Sequence, residues 1–224
     1  TSLTFDDVIQ IKRGVLFKSD LLTAKKTSAT SYRYFEGDVY RYAVNYETKH
    51  WIEFDDKMSE RPKEFIWFEG QRILLRRLVN RRQRLMASLV NDTFVTNKNL
   101  YSILPKGKGI DLRVVLGIIN STLISYLYIN RVTQASKDDF PQVTIKDILA
   151  LPYPELQKQK ELQEKLVQLV DLQLGLHQQR GETSSPASLT RIESDIRSFD
   201  ARIDKLVYEL YGLTEDEIKI VESK

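Results

Sequence analysis

The sequence predicts an α+β fold, a mixed β-sheet lobe followed by a C-terminal antiparallel helical hairpin. Residues 1–69 hold short β-branched and aromatic runs separated by polar breaks. From residue 111 the apolar residues recur at helical spacing. Pro152 and Pro154 then mark a boundary. These observations divide the chain into a lobe at 1–154 and a helical, coiled-coil-like region at 155–224.

In chain order, IQIKRGVLF, YRYFEG, DVYRYAVNY and HWIEF read as strands. KEFIWFEGQRILLRRLV reads as one or two more. RLMASLV, the polar Asn91-Asp92-Thr93 and FVTNKNLYSIL read as a hairpin. Residues 111–130, DLRVVLGIINSTLISYLYIN, read as one helix, with Asp111 as its cap. Thr144-Ile-Lys-Asp147 opens a short helix before LPYP. Leu162, Leu166, Leu169 and Leu176 lie on one helix, with Gln173 filling the expected apolar slot. Leu189, Ile192, Ile196, Phe199, Ile203, Leu206 and Leu210 follow at alternating spacings of three and four, a coiled-coil seam. Ser185-Pro186 suits the start of the second helix, Gly212 its end, and Thr214 to Glu217 a capping box for a last short helix.

Composition narrows the function. With 224 residues, 42 % hydrophobic and 10 % aromatic, the chain can bury a core. It has no cysteine, which removes disulfides and thiolate metal sites and fits a reducing cytoplasm. No run reaches the ~18 apolar residues of a membrane span, and the N-terminus lacks the pattern of a signal peptide. The chain starts with Thr1 rather than Met, which fits a piece of a longer polypeptide.

The net charge of +3 hides its distribution. Residues 70–138 carry 12 Lys/Arg against 3 Asp/Glu, a local +9, so the remainder sums to −6. GQRILLRRLVNRRQRL, residues 70–85, holds six arginines and no acid. Such a segment suggests an anionic partner bound at one place. Guanidinium forks pair with phosphate oxygens and resist deprotonation. Arg72, Arg76, Arg77, Arg81, Arg82 and Arg84 are therefore the expected phosphate-binding set. Strand alternation puts Arg72 and Arg76 on one face and Ile73 and Leu75 on the other. Lys106, Lys108 and Arg131 would extend the surface. A charge-guarded sheet edge is the plainer alternative.

Asn and Lys side chains pair with adenine and guanine edges. Asn97, Lys98 and Asn99, where the expected hairpin returns, and Gln134 and Lys137, in a polar loop, are the candidate base readers. Equally, they satisfy turn backbone. Tyr32, Tyr34, Tyr40, Tyr42 and Tyr46 form a stripe suited either to stacking on bases or to a sheet core.

Other chemistry finds little support. No phosphate-cradling Gly-rich loop is present. His50 and His177 have no ligand-spaced companions, so no metal is expected. The [NDS]-Pro-Pro-aromatic tetrapeptide of amino-methyltransferases is missing, and Glu217-Ile-Lys219 lies in a capped helix rather than a nuclease strand. Asp55-Asp56 reads as a turn pair. No catalytic residue is assigned, and no cofactor is expected to bind this chain.

The order GQRILLRRL, NKNLYSIL, DLRVVLGIINSTLISYLYI, then FPQVTIKDILALPYPE resembles the TaqI-like C-terminal specificity domain. This is the target-recognition module of restriction–modification DNA methyltransferases, including fused type IIG enzymes. The resemblance spans about residues 60–155, carried chiefly by the ordered set INST, FP and LPYP, and LTFDDVIQIKRGVLFKS resembles the entry strand. It implies a double-stranded DNA partner gripped in the major groove. It also implies a separate methyltransferase catalytic domain or subunit that methylates adenine with S-adenosylmethionine, with or without an endonuclease. Half of a type I specificity subunit and a coiled-coil assembly module remain as alternatives. No membrane partner is expected.

Overall fold

The computed structural model of the chain describes residues 3–79, 83–131 and 142–223. A single turn, α1 (Phe5–Val8), leads into β1 (Ile9–Arg13). Four short strands follow, β2 (Ser31–Arg33), β3 (Glu36–Tyr40), β4 (Ala43–Glu47) and β5 (Trp51–Glu53). β6 (Arg72–Arg76), β7 (Ala87–Val90) and β8 (Leu100–Pro105) complete the sheets. The central sheet has the order β1-β8-β6-β7, antiparallel throughout; β2–β5 and β3–β4 form separate two-stranded sheets.

Three strand expectations need correcting. DVYRYAVNY is not one strand but most of the β3–β4 hairpin, which turns at Arg41-Tyr42. FIWF (Phe65–Phe68) forms a 3-10 turn rather than a strand, with Trp67 and Phe68 buried. β7 and β8 are not a hairpin either. β6 lies between them and pairs with both, Ile73 facing Leu89 on one side and Ile103 on the other. The polar run 91–93 was legible as a turn, but strand pairing is non-local and adjacency in sequence does not fix it.

β6 is covered on both faces. Ile73 and Leu75 enter the main core with Ile9, Ile11, Tyr101 and Ile103. Leu74 points the other way, into a smaller cluster with Phe35, Val39, Phe94 and Leu100 beneath the β3–β4 hairpin. The run Ile-Leu-Leu, without polar alternation, is the sequence mark of a strand buried on both sides.

The expected helix 111–130 is two helices, α2 (Leu112–Asn120) and α3 (Thr122–Arg131), bent by 62° at Ser121. Side chains at the break explain the bend. The Asn120 amide donates to the Ala87 carbonyl at 2.9 Å and accepts from the Ala87 N–H at 3.0 Å, completing the outer edge of β7 as another strand would. The Ser121 hydroxyl accepts from the Ile124 N–H, capping α3. Asp111, Thr144 and Ser185 cap α2, α4 (Ile145–Leu149) and α6 (Pro186–Tyr211) as their sequences announce.

α5 (Lys160–Glu182) and α6 form the helical hairpin, and α7 (Glu215–Glu222) closes the chain behind the αL residue Gly212. The hairpin shares the core of the lobe: Leu166, Leu169, Val170, Ile203, Val207 and Leu210 belong to the same apolar cluster as Ile73, Ile118 and Tyr128. Gly117 allows the contact, because a Cβ there would lie 2.9 Å from Leu166 Cδ1 and 3.0 Å from Val170 Cγ2. Gln173 is buried in the seam and donates to the Ile196 carbonyl at 3.1 Å. Among the described residues no single helix is long and apolar enough to cross a membrane; the bent α2–α3 pair passes on length and composition, and α2 lies in this core.

Candidate nucleic-acid interface

The central sheet brings the cationic residues to one of its ends. β1 finishes there at Arg13, β6 at Arg76, and β8 begins there at Leu100. Arg13 lies opposite Tyr101 and Arg76 opposite Leu100, so the two arginines flank β8 from neighbouring strands. Arg77 follows, its N–H on the Asn99 carbonyl at 2.9 Å and its own carbonyl accepting from Val143 at 2.6 Å. The Arg77 guanidinium reaches Gln142 Oε1 at 2.7 Å.

The turn Asn97-Lys98-Asn99 sits between these strands and is held from both sides. Arg77 binds it on one flank. On the other, Gly14 donates to the Leu100 carbonyl at 2.9 Å and Val15 to the Thr96 carbonyl at 2.8 Å. A Cβ on Gly14 would stand 2.2 Å from the Asn97 carbonyl oxygen, so glycine is required for this close approach. Lys98 and Asn99 are exposed, and Lys98 has no ion-pair partner among the described residues. Beside β1 a cleft of about 630 Å³ continues the surface, lined by Lys12, Arg13, Glu60, Arg61, Lys63 and Trp67.

Several expected contacts sit elsewhere. Arg72 is fully buried on the β3–β4 side of β6. Its Nη1 donates to the Gly70 and Asp92 carbonyls at 2.9 and 2.7 Å, and its guanidinium lies 4.7 Å from the centre of the Phe94 ring. Burial pulls its pKa down to about 10. Arg72 and Arg76 do share a face, but that face is roofed by the hairpin, so Arg72 leaves the phosphate-binding set. Arg84 also points inward. Its Nη2 donates to the Asn120 carbonyl at 2.8 Å, and desolvation, with Arg41 nearby, lowers its pKa. Asn97 is spent on its turn: Oδ1 accepts from the Asn99 N–H at 2.8 Å, and the amide reaches Tyr34 Oη at 3.4 Å. That satisfies the turn-forming alternative. Arg81, Arg82, Gln134 and Lys137 lie outside the described residues.

Of the outlying cations, Lys106 pairs with Asp6 at 3.1 Å and Arg131 donates to the Ala150 carbonyl at 2.9 Å. The tyrosine stripe is dispersed: Tyr32 stacks on Phe65, Tyr42 is buried, Tyr46 donates to Asp92 at 2.5 Å, and Tyr40 remains exposed.

A second polar cluster joins the lobe to the helices. Arg41, at the β3–β4 tip, forms a two-pronged ion pair with Asp200 of α6 and donates to the Asn120 carbonyl at 3.1 Å. Burial opposes its charge, but Asp200 more than compensates and raises its pKa. Asp204 accepts from Thr122 N and Oγ1 at 2.7 and 2.6 Å, capping α3 from a different helix. Burial raises the Asp204 pKa. Tyr42, held at φ 59°, lies beside His177, whose pKa is pushed down to about 4 by burial and by Arg180 and Arg41.

The family profile of the TaqI-like C-terminal specificity domain matches residues 32–153. The chain belongs to this family. The match begins well before the basic strand and takes in the β2–β5 and β3–β4 sheets. A Methanocaldococcus jannaschii protein that carries the name of a type II restriction enzyme and methyltransferase, RM.MjaORFECS2P, is 32 % identical over 212 residues, which is 94 % of this chain and 17 % of that protein. Among solved structures, the type IIL restriction–modification enzyme MmeI in complex with DNA superposes at a TM-score of 0.62 with 11 % identity, over 96 % of this chain and 34 % of that one. That likeness is one of fold. A type I restriction–modification assembly superposes more loosely, at a TM-score of 0.48 and 16 % identity, over 92 % of this chain and 45 % of that one. The chain thus spans a minor part of each relative.

Within this specificity domain the INST and LPYP segments are joints. Asn120, Ser121 and Thr122 tie β7, α3 and α6 together. In LPYP, the Leu151 carbonyl accepts from Phe5, Tyr153 donates to the Leu3 carbonyl, and the Tyr153 and Phe5 rings meet edge to face at 5.1 Å. Arg13 and Gln142 belong to the cationic end but went unread in the sequence. Arg13 had a local signal in IQIKRG at the close of a strand. Gln142 had none, because only the fold brings it to Arg77.

Proposed function

We propose that this chain is the double-stranded DNA target-recognition module of a restriction–modification adenine-specific DNA methyltransferase, and that the cationic end of the central sheet contacts the duplex. The observation that carries this reading is the placement of Arg13, Arg76 and Arg77 at one end of the central sheet, beside an exposed, rigidly held Lys98-Asn99 turn. Arginines at strand ends hold phosphates and set register, while the turn between them reaches base edges. Lys98 supplies donors suited to guanine, and Asn99 a donor and an acceptor suited to adenine. Arg81, Arg82, Gln134 and Lys137 keep their sequence-based assignment to the same two roles. A catalytic domain or subunit, supplied with S-adenosylmethionine, carries out methylation and meets this module away from the DNA face. The relative named for a restriction enzyme and methyltransferase supports that context.

Selection from a pool of random duplexes tests the reading. The chain is expected to enrich one short motif, and Lys98→Ala or Asn99→Ala to relax the preference at one or two positions by about 1–3 kcal/mol each. Recovery of an unbiased pool would refute sequence-specific recognition.

A further inference from the structure

Two arginines at the cationic end are already occupied. Arg76 Nη1 lies 2.7 Å from Asp38 Oδ2, and Arg13 is paired with Glu60. Neither carboxylate is a stray surface acid. Asp38 sits within β3, opposite Asn45, and its Oδ1 accepts from the Val39 N–H at 2.9 Å, which leaves Oδ2 aimed at Arg76. The Glu60 backbone is clamped to Leu16 by reciprocal hydrogen bonds of 2.8 and 3.1 Å. Arg77, by contrast, has a neutral partner in Gln142.

We propose that Asp38 and Glu60 restrain the grip of this end of the sheet on DNA by holding Arg76 and Arg13 in internal ion pairs that phosphates must displace. The inference rests on the DNA-contacting role assigned above. The pairs are partly exposed, with side-chain exposures of 28 % and 38 % for Arg76 and Asp38 and 35 % and 51 % for Arg13 and Glu60. Such pairs are weak and exchangeable. A phosphate oxygen offers a guanidinium the same charge-assisted hydrogen bonds as a carboxylate. Each displaced carboxylate stays nearby and repels the incoming phosphate, so the penalty falls on duplex of any sequence. Backbone attraction alone then holds the protein weakly, and stable binding depends on the base contacts of the turn.

The test is equilibrium binding of the full chain to a duplex of arbitrary sequence across a salt series. Asp38→Asn and Glu60→Gln remove the charge and keep the shape, and thermal melting confirms that each variant folds. Each is expected to tighten binding several-fold at low salt and to steepen the log–log salt slope by up to about 0.9 per arginine freed for phosphate. The double variant should show the sum. Unchanged affinity in both variants would overturn the proposal, and weaker binding would recast the carboxylates as positioning groups. If the unsubstituted chain shows no salt-dependent binding at all, the DNA-contacting role itself fails, an outcome distinct from binding that the substitutions leave untouched.

Discussion

Arg72 and Arg77 lie five residues apart on one basic stretch, yet their surroundings assign them opposite work. Arg72 fills a slot among Phe94 and backbone carbonyls under the β3–β4 hairpin, with two of its nitrogens lacking hydrogen-bond partners among the described residues. Removing it leaves a cavity and orphaned carbonyls, so Arg72→Ala is expected to cost on the order of 3 kcal/mol of stability in chemical denaturation. Arg77→Ala should leave stability nearly unchanged and lower the salt slope of DNA binding by about 1. The sequence identifies both as arginines in a strand but not the roof over one of them, since that roof comes from residues 36–47. His177 gives a second residue-scale expectation. Its folded pKa is depressed to about 4, while the unfolded chain takes up the proton near the ordinary value of 6.5. Between those values the unfolded state binds more protons, so this group's share of stability falls as pH falls from about 6.5 to 4. His177→Gln should flatten that part of a stability-against-pH curve; an unchanged slope would show that other groups set it.

At the scale of elements, capping residues were the most legible feature, because a cap is decided within four residues. Asp111, Thr144, Ser185 and Thr214 all cap in the positions their sequences indicate. The break after Asn120 is hidden in the sequence because its cause is distant: the side chain of Asn120, the last residue of α2, completes an edge at Ala87, which lies 33 residues away. Asn120→Ala would strand the Ala87 N–H in the core, while the Ala87 carbonyl keeps its bond from the Tyr42 N–H at 2.9 Å. It is expected to cost about 1–3 kcal/mol, measured by denaturant melting. If the cost were near zero, water would have to reach the β7 edge, and the pairing would be decorative.

Across the whole molecule, the change from sheet to helix after residue 154 is visible in the sequence, but the continuity of the core across it is not. Heptad spacing alone describes α5 and α6 as partners of each other. The structure adds Gly117 as the place where α2 meets α5, and the Arg41–Asp200 and Thr122–Asp204 contacts as polar ties between lobe and helices. Residues 1–154 expressed alone are therefore expected to expose Ile118, Ile119 and neighbouring core side chains, and to be aggregated or partly unfolded by gel filtration and circular dichroism. A soluble, cooperatively folding 1–154 would contradict this. The same continuity gives the helices a fixed bearing on the cationic end of the sheet.

The central claim is that Arg13, Arg76 and Arg77 hold the phosphates of a duplex. The most direct measurement is the salt dependence of duplex binding for the unsubstituted chain beside the triple variant Arg13→Ala, Arg76→Ala, Arg77→Ala. The triple variant is expected to keep its fold, lose most of its affinity, and have a log–log slope shallower by at least about 1, the share of the unpaired Arg77, and by less than about 3, because Arg13 and Arg76 are partly held in their ion pairs. Equal slopes for the two proteins would contradict it.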